Sequence, residues 1–438
     1  MLSRTASLNG RRAGGKVMCL RCAMAYLDLP TGDDRSVGPS SDGMTRRIFN
    51  TGLLAAGLTA SSRAFGASSE TIKIGTFGPF TGPAAGLGLE AKKGIEFAVQ
   101  QYNAKGGIGG TKIELVAYDD RANRAEAVSV VRKMIESDGV QVIVDGSVSL
   151  TSIAAAPVAN DAKIPMIAAY SNAVGVVKGE DHVFRWASVA DVQGYVIAHH
   201  AMRERKYKNF ALLMQDEEYG RGIINGAEKA IDALKGKVVY KKPYAPGERE
   251  FRAIMTEIKG LNVDSVIMSG FSPSLTSAAR IGYELEIFPK AQFYISCSAT
   301  EINWYNGIGQ YGNGTIASLE FLASADHPFT KKFVADYTKA TGEKVVSHQA
   351  GLMYDSSRLA FDAIQRGGTT ADGIWHALKE TKSFMNLSGV DVKFTELREP
   401  LLPIALAAWD SSSQQYKLVK FETDPALIDP RPWYKYYN

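Results

Sequence analysis

Cysteine is nearly missing from this 438-residue chain: there are three, and two of them, Cys19 and Cys22, lie close to the start. Cys297 therefore stands alone in the body of the protein, which excludes an internal disulfide framework there and leaves the fold to its hydrophobic core. Histidine is also scarce. The six, His182, His199, His200, His327, His348 and His376, are scattered, and no H-x-x-x-H pattern or cysteine pair after residue 70 has the spacing of a metal site. No G-x-S-x-G turn presents a nucleophile. An excess of one charge is lacking too: 50 Lys and Arg against 46 Asp and Glu leave a formal charge of +4. The basic residues are dispersed, which argues against a nucleic-acid groove. The apolar run Gly52 to Ala60 is too short to span a bilayer. What is present, 45% hydrophobic and 22% charged residues, is the composition of a soluble globular protein with room for two ordinary domains.

The first 67 residues read as processing signals. Residues 1–43 are irregular and rich in small and polar residues, and read as a disordered upstream extension with Met44 as the true start. Thr45-Arg46-Arg47-Ile48-Phe49 has the order of a twin-arginine export signal, and a weakly apolar stretch and the small residues Ala64 to Ala67 follow it. Residues 44–67 are expected to be that signal, cleaved near Gly66 or Ala67. No cysteine stands at a lipidation position, so the expectation is a free periplasmic protein.

The most informative stretch runs from Gln141 to Asn172. Val142 to Val144 are apolar and β-branched, closed by Asp145-Gly146, which is how a strand buried on both faces ends. A helix follows from Ser149 or Thr151, rich in alanine, and Ile164-Pro165 precedes a second apolar run, Met166 to Ala169. In such a right-handed strand-helix-strand unit both strands end at one edge. Ser147, Ser149 and Thr151 should then converge with Tyr170, Ser171 and Asn172 beside a helix N-terminus. Free backbone N–H groups and short hydroxyls suit a carboxylate or amide, and the lack of Lys or Arg from Gln141 to Ala162 speaks against phosphate. The plainer alternative is that Ser149 or Thr151 only caps its helix.

The same alternation governs the rest. Ile72 to Phe77, Ile113 to Tyr118 and Val183 to Ala187 read as further strands, with helices over Leu87 to Tyr102 and Arg124 to Glu136. A second series starts at Phe210 and runs through strands near Val238, Ser265 and Phe293. The expected class is α/β, two Rossmann-like lobes with parallel sheets, joined by several crossovers and enclosing a cleft at the strand ends. The boundaries expected are 70–190 for the first lobe and 191–312 for the second. Residues 313–425 are read as a return to the first lobe through the hinge with a partial second-lobe contribution, and 426–438 as an aromatic tail folded onto the body. Gly82, Gly86 and Gly88 do not make a dinucleotide fingerprint, because prolines interrupt them and no acid stands suitably on a second strand end.

With these motifs the chain resembles the periplasmic solute-binding proteins of ABC transporters, in the branch of the leucine/isoleucine/valine-binding protein and its type I periplasmic binding fold. The likeness rests on Gly78-Pro79-Phe80-Thr81-Gly82-Pro83, Tyr102-Asn103-Ala104-Lys105-Gly106-Gly107-Ile108, Tyr118-Asp119-Asp120, Asp216-x-x-Tyr219-Gly220 and Tyr354-Asp355. The resemblance implies ligand binding by Ser149, Tyr170, Ser171 and Asn172 from the first lobe and by Tyr219 and Phe271 from the second. It implies capture of a small solute (amino acid, other carboxylate or amide) by cleft closure, delivery to an inner-membrane permease, no turnover, no cofactor, no metal and a monomer. An exported sensor of the same fold is the alternative. The chain also departs from the family. Ser296-Cys297-Ser298 stands where amino-acid binders place a carboxylate for the ligand's ammonium, Leu87 stands near a usual aromatic, and Phe271 replaces a usual tyrosine. Glu301 is expected to face solvent.

Overall fold

The computed structural model describes residues 71–437. The export signal, its cleavage point and the upstream extension read from the sequence lie outside those residues. β1 (Ile72–Gly78), α1 (Ala85–Ala104), β2 (Ile113–Asp119), α2 (Arg124–Lys133), β3 (Val142–Asp145), α3 (Ser149–Asp161), β4 (Met166–Ala168) and β5 (Val183–Arg185) follow in order. The five strands form an all-parallel sheet in the order β2-β1-β3-β4-β5. Its central strands are apolar and buried on both faces, as crossover helices require. The α2 start is fixed by Asn123, whose side chain accepts from the N–H groups of Ala125 and Glu126.

The chain then crosses to the second lobe through Trp186–Val189. There α4 (Ala190–Arg203), β6 (Asn209–Gln215), α5 (Glu218–Ala233), β7 (Lys237–Tyr244), α6 (Arg252–Lys259), β8 (Ser265–Met268), α7 (Ser272–Glu284) and β9 (Gln292–Ile295) repeat the alternation. A short α8 (Ile302–Ile308) leads to β10 (Ile316–Leu319), a four-residue strand that the sequence reading passed over. From Glu320 the chain returns to the first lobe with α9 (Pro328–Thr341), α10 (His348–Gly367), α11 (Ala371–Glu380) and the small hairpin of β11 (Ser383–Met385) and β12 (Asp391–Lys393). α1 lies so close on α10 that a Cβ at Gly94 would sit 2.4 Å from the Ala350 carbonyl oxygen.

A third crossing ends in β13 (Ile404–Asp410) and β14 (Gln415–Glu422). The sequence reading took these two strands with the return to the first lobe. They extend the second sheet instead, antiparallel, in the order β14-β13-β10-β9-β8-β6-β7. The reason is β10: once it is paired with β9, its free edge offers Ile316–Leu319 to Ala405–Ala408. Each lobe thus has its own apolar core.

The tail, with α12 (Pro425–Ile428) and α13 (Arg431–Tyr434), folds onto the crossings. Trp433 is buried, the Tyr434 hydroxyl donates to Glu399, and the Tyr437 hydroxyl donates to Asp191 at 3.0 Å. Among the described residues no helix is long and apolar enough to cross a membrane.

Candidate functional site

β3 and β4 end side by side, and the loops beyond them form one wall of polar contacts. α3 begins at Ser149, but the residue before it, Val148, occupies the capping position and no side chain caps the helix. Neither Ser149 nor Thr151 is a cap, contrary to the plainer expectation. Ser149 Oγ instead accepts the N–H groups of Asn172 and Ala173, each at 3.1 Å, tying the helix start to the loop after β4. Thr151 donates to the Val148 carbonyl and sits 2.6 Å from Ser147 Oγ. The Tyr170 hydroxyl donates to the Gly146 carbonyl at 2.7 Å, and Asn172 Nδ2 to the Ser188 carbonyl at 2.6 Å.

Beneath this wall lies a buried polar layer. Ser147 Oγ donates to Asp120, and the Ser147 N–H to Asp145 Oδ1 at 2.8 Å. Burial, reinforced by the neighbouring Asp120, pushes the Asp145 carboxyl up to about 7, and its Oδ2 has no partner among the described residues. Arg185, fully buried, pairs with Glu399 at 2.9 Å and donates to the carbonyls of Ser171 and Ala173, which fixes the Tyr170–Ala173 segment from below.

The opposite wall comes from the second lobe and is aromatic. Glu217 accepts the N–H groups of Tyr219 and Gly220, so it caps α5 and sets Tyr219 in the first turn. Burial raises the Glu217 carboxyl to about 7 despite those bonds. Phe271 precedes α7, its N–H held by Gln215 Oε1 at 3.2 Å. The rings of Tyr219 and Phe271 are parallel to within 8°, with centroids 6.3 Å apart. The Tyr219 hydroxyl lies 3.3 Å from Cys297 Sγ, and burial pushes that thiol far up, so it stays protonated.

Between the walls is a cavity of about 20 Å³, room for little more than one water, so the cleft is closed in this structure. Ser149, Tyr170 and Asn172 line it from one side and Tyr219 and Phe271 from the other. These are five of the six residues named from the sequence. Ser171 is the exception: it turns away from the cavity, its hydroxyl donating to the Ser147 carbonyl at 2.7 Å and lying 2.6 Å from Ser152 Oγ. Leu87, Val148, Cys297, Ser298 and Gln349 complete the lining. Gln349 carried no sequence signal, because it lies at the start of a helix more than 170 residues beyond the central unit.

Glu301 does not face solvent, as the sequence reading had it. It is 2% exposed, caps α8, and lies so near α1 that a Cβ at Gly86 would stand 1.9 Å from its Oε2. Its Oε2 accepts from Asn303 at 2.7 Å, its Oε1 is buried with no partner among the described residues, and the side chain does not line the cavity. Asp216 is exposed and paired with Arg221.

Sequence reasoning also missed Glu320, at the second crossing. Its Oε1 accepts from the Ser188 N–H and hydroxyl and from Gln193, with Asn172 Nδ2 at 3.4 Å, and its Oε2 lies 2.6 Å from His348 Nε2. Burial pushes its carboxyl up, but His348 and the Ser188 donors outweigh that and hold it below the usual carboxylate range. Cys297, Glu320 and His348 bring three ligand-type atoms within 4.8 Å of one another. A metal there would have to displace the Glu320–His348 bond, so the cluster as built is a hydrogen-bonded link between crossings.

A cleft between two α/β lobes, lined from the strand ends of both, matches known proteins. The family model described as periplasmic binding protein matches residues 71–414. The chain is similar to the leucine-, isoleucine-, valine-, threonine-, and alanine-binding protein of Pseudomonas aeruginosa, 30% identical over 51% of this chain and 60% of that protein. The match therefore spans less than two thirds of that relative's length. The fold is similar to the crystal structure of a leucine binding protein from Thermotoga maritima, with TM-score 0.74 and 22% identity over 81% of this chain and 100% of that one. It is also similar to an ABC-transporter solute binding protein from R. palustris in complex with 4-hydroxybenzoate, with TM-score 0.74 and 22% identity over 81% and 98%. With its two lobes, three crossings and closed interlobe cavity, the chain belongs to the periplasmic binding proteins.

Proposed function

We propose that this protein is the substrate-binding component of an ABC importer, which captures a small organic carboxylate or amide by cleft closure and delivers it to a membrane permease without chemically changing it. The observation that carries the reading is the cavity itself. One wall offers a helix start, backbone N–H groups and hydroxyls suited to an anionic or amide group, and the facing wall offers two parallel rings. Ser149, Tyr170, Asn172, Tyr219 and Phe271 hold the solute in this reading, and Ser171 supports them through Ser147 and Ser152. Because the walls come from different lobes, a solute that touches both favours the closed state, a hinge movement for which periplasmic binding proteins are a known example. The P. aeruginosa relative's name and the 4-hydroxybenzoate complex support amino acids and other carboxylates as the range to test. The protein works as a periplasmic monomer, exported by the signal in residues 44–67.

The test is a thermal-shift screen of the full chain against amino acids, aliphatic and aromatic carboxylates and their amides, followed by mass spectrometry of each stabilising compound. A ligand of the folded state raises the melting temperature by mass action, and the compound should be recovered unaltered. A new product would replace the carrier reading with an enzymatic one.

A further inference from the structure

One contact between the lobes lies outside the cavity and sets a carboxyl there without a cation. Glu301 stands at the start of α8, whose Trp304 and Ile308 belong to the core of the second lobe, and it packs on α1, whose Leu87 and Ala91 belong to the core of the first. Room for it exists because residue 86 is glycine: a Cβ there would stand 1.9 Å from Glu301 Oε2 and 2.6 Å from Asn303 Nδ2. Gly86 lies in the first turn of α1, where alanine would be the better helix former. The close approach of α8 is what calls for glycine.

The groups around Glu301 leave it short of donors. Oε2 accepts from Asn303, while Oε1 is buried with no partner among the described residues. On α1 the charged neighbour is Glu90, itself buried, whose partner Lys93 is shared with Glu343 beyond α9 at 2.7 Å. On α7 the Ser272 hydroxyl is near but donates to the Ser298 carbonyl at 2.9 Å, and on α10 His348 is turned to Glu320. Burial therefore raises the Glu301 carboxyl above its ordinary value, Glu90 adds to the rise, and the donors beside it offset only part. By contrast, the contact of Arg124 on α2 with Glu218 on α5 is a complete ion pair at 2.5 Å, open to solvent.

Resting on the carrier reading above, we infer that closing the cleft takes up a proton, held by Glu301 against α1, so that the seating of α8 on Gly86 is an acid-favoured latch outside the solute cavity. When the lobes part, α8 leaves α1 and the carboxyl meets water, where it ionises without penalty. Closure brings it back to a place where an unpaired charge is costly. The closed state thus keeps the proton at a pH where the open state has released it, so closure strengthens as pH falls and weakens as pH rises.

Small-angle X-ray scattering of the full chain, exhaustively dialysed and without added solute, tests this at pH 5 and pH 8. The native chain should be more compact at pH 5, its closed-to-open ratio rising about tenfold or more. Glu301→Gln, neutral and of the same shape, should be compact at both values. Gly86→Ala should keep a folded first lobe but stay at both values as open as the native chain at pH 8. Equal dimensions of the native chain at both values would overturn the inference, as would a pH difference that survives in Glu301→Gln. If that variant does not fold, Gly86→Ala decides alone, and a pH difference there equal to the native one would overturn the latch. None of these outcomes depends on a solute, so failure of the carrier reading would show instead in the thermal-shift screen.

Discussion

The two walls of the cleft are built from different materials. In the first lobe the surface presented to the cavity is held by hydrogen bonds: Ser149 to two backbone N–H groups, Tyr170 to Gly146, Asn172 to Ser188, with Asp145, Asp120 and Arg185 underneath. In the second lobe it is held mainly by packing, with Tyr219 and Phe271 parallel and placed by the Glu217 cap, Gln215 and the contact of the Tyr219 hydroxyl with Cys297 Sγ. Hydrogen bonds are directional and fix where an anionic group can sit, whereas ring faces accept many apolar shapes. In the proposed function the first wall sets the anionic or amide end of the solute and the second sets its body. Each of the following changes should separate the two.

The largest effect is expected at Glu320, where the first wall is anchored to the crossings. Glu320→Ala leaves Ser188, Gln193 and His348 without their acceptor, and breaking a buried pair of this kind costs about 3 to 5 kcal/mol. Urea denaturation should show that loss, and a change below about 1 kcal/mol would mean that the crossings are held by packing alone.

Next in size is a contrast between two carboxyls, both raised to about 7 by burial. Asp145 has an oxygen without a partner, while both Glu217 oxygens accept backbone N–H groups. For Asp145 the folded pKa lies above the unfolded value near 3.8. The folded state therefore holds the proton longer, and its contribution to stability is full below pH 4 and is lost as pH rises through about 7. Asp145→Asn removes that titration and should stabilise the protein at pH 8, on the order of 2 to 4 kcal/mol at most, with little gain at pH 4. Glu217→Gln removes a titration of the same sign but gives up one of the two acceptors for the N–H groups of Tyr219 and Gly220, so its gain at pH 8 should be smaller. Denaturation curves at the two pH values check both. A gain from Glu217→Gln that matches the one from Asp145→Asn would erase the distinction between the walls.

Ser149→Ala should cost about 1 to 3 kcal/mol of stability, because it leaves the buried N–H groups of Asn172 and Ala173 without an acceptor. The smallest effect is expected outside the cleft. Tyr437→Phe removes one tail bond to Asp191 and should lower stability by about 0.5 to 1.5 kcal/mol without altering ligand affinity. Calorimetry and melting curves on that variant give the baseline for a change that touches neither wall.

The first wall was legible in the sequence because it is local. One strand-helix-strand unit carries Ser149, Tyr170 and Asn172, and the parallel geometry alone brings them to one edge. Tyr219 and Phe271 were placed by resemblance to a family, since nothing in their own spacing joins them to residues of another lobe. Gln349, Glu320 and His348 were illegible because they reach the cleft only through the second crossing, after a four-residue strand with too little apolar pattern to be read. That strand also misdirected the reading of β13 and β14, whose sheet is decided by which edge lies free. Ser171 shows the opposite limit. Sequence placed it in the right loop, but which side chain of three neighbours turns inward depends on Ser147 and Ser152.

The central claim is that the solute lies between these two walls and touches both. Calorimetric titration of the compound that most stabilises the native chain in the thermal-shift screen into the native chain, Ser149→Ala and Tyr219→Leu tests it most directly, one substitution on each wall. The account predicts that each variant remains folded and binds at least tenfold more weakly than the native chain. Native affinity retained in either folded variant would contradict it.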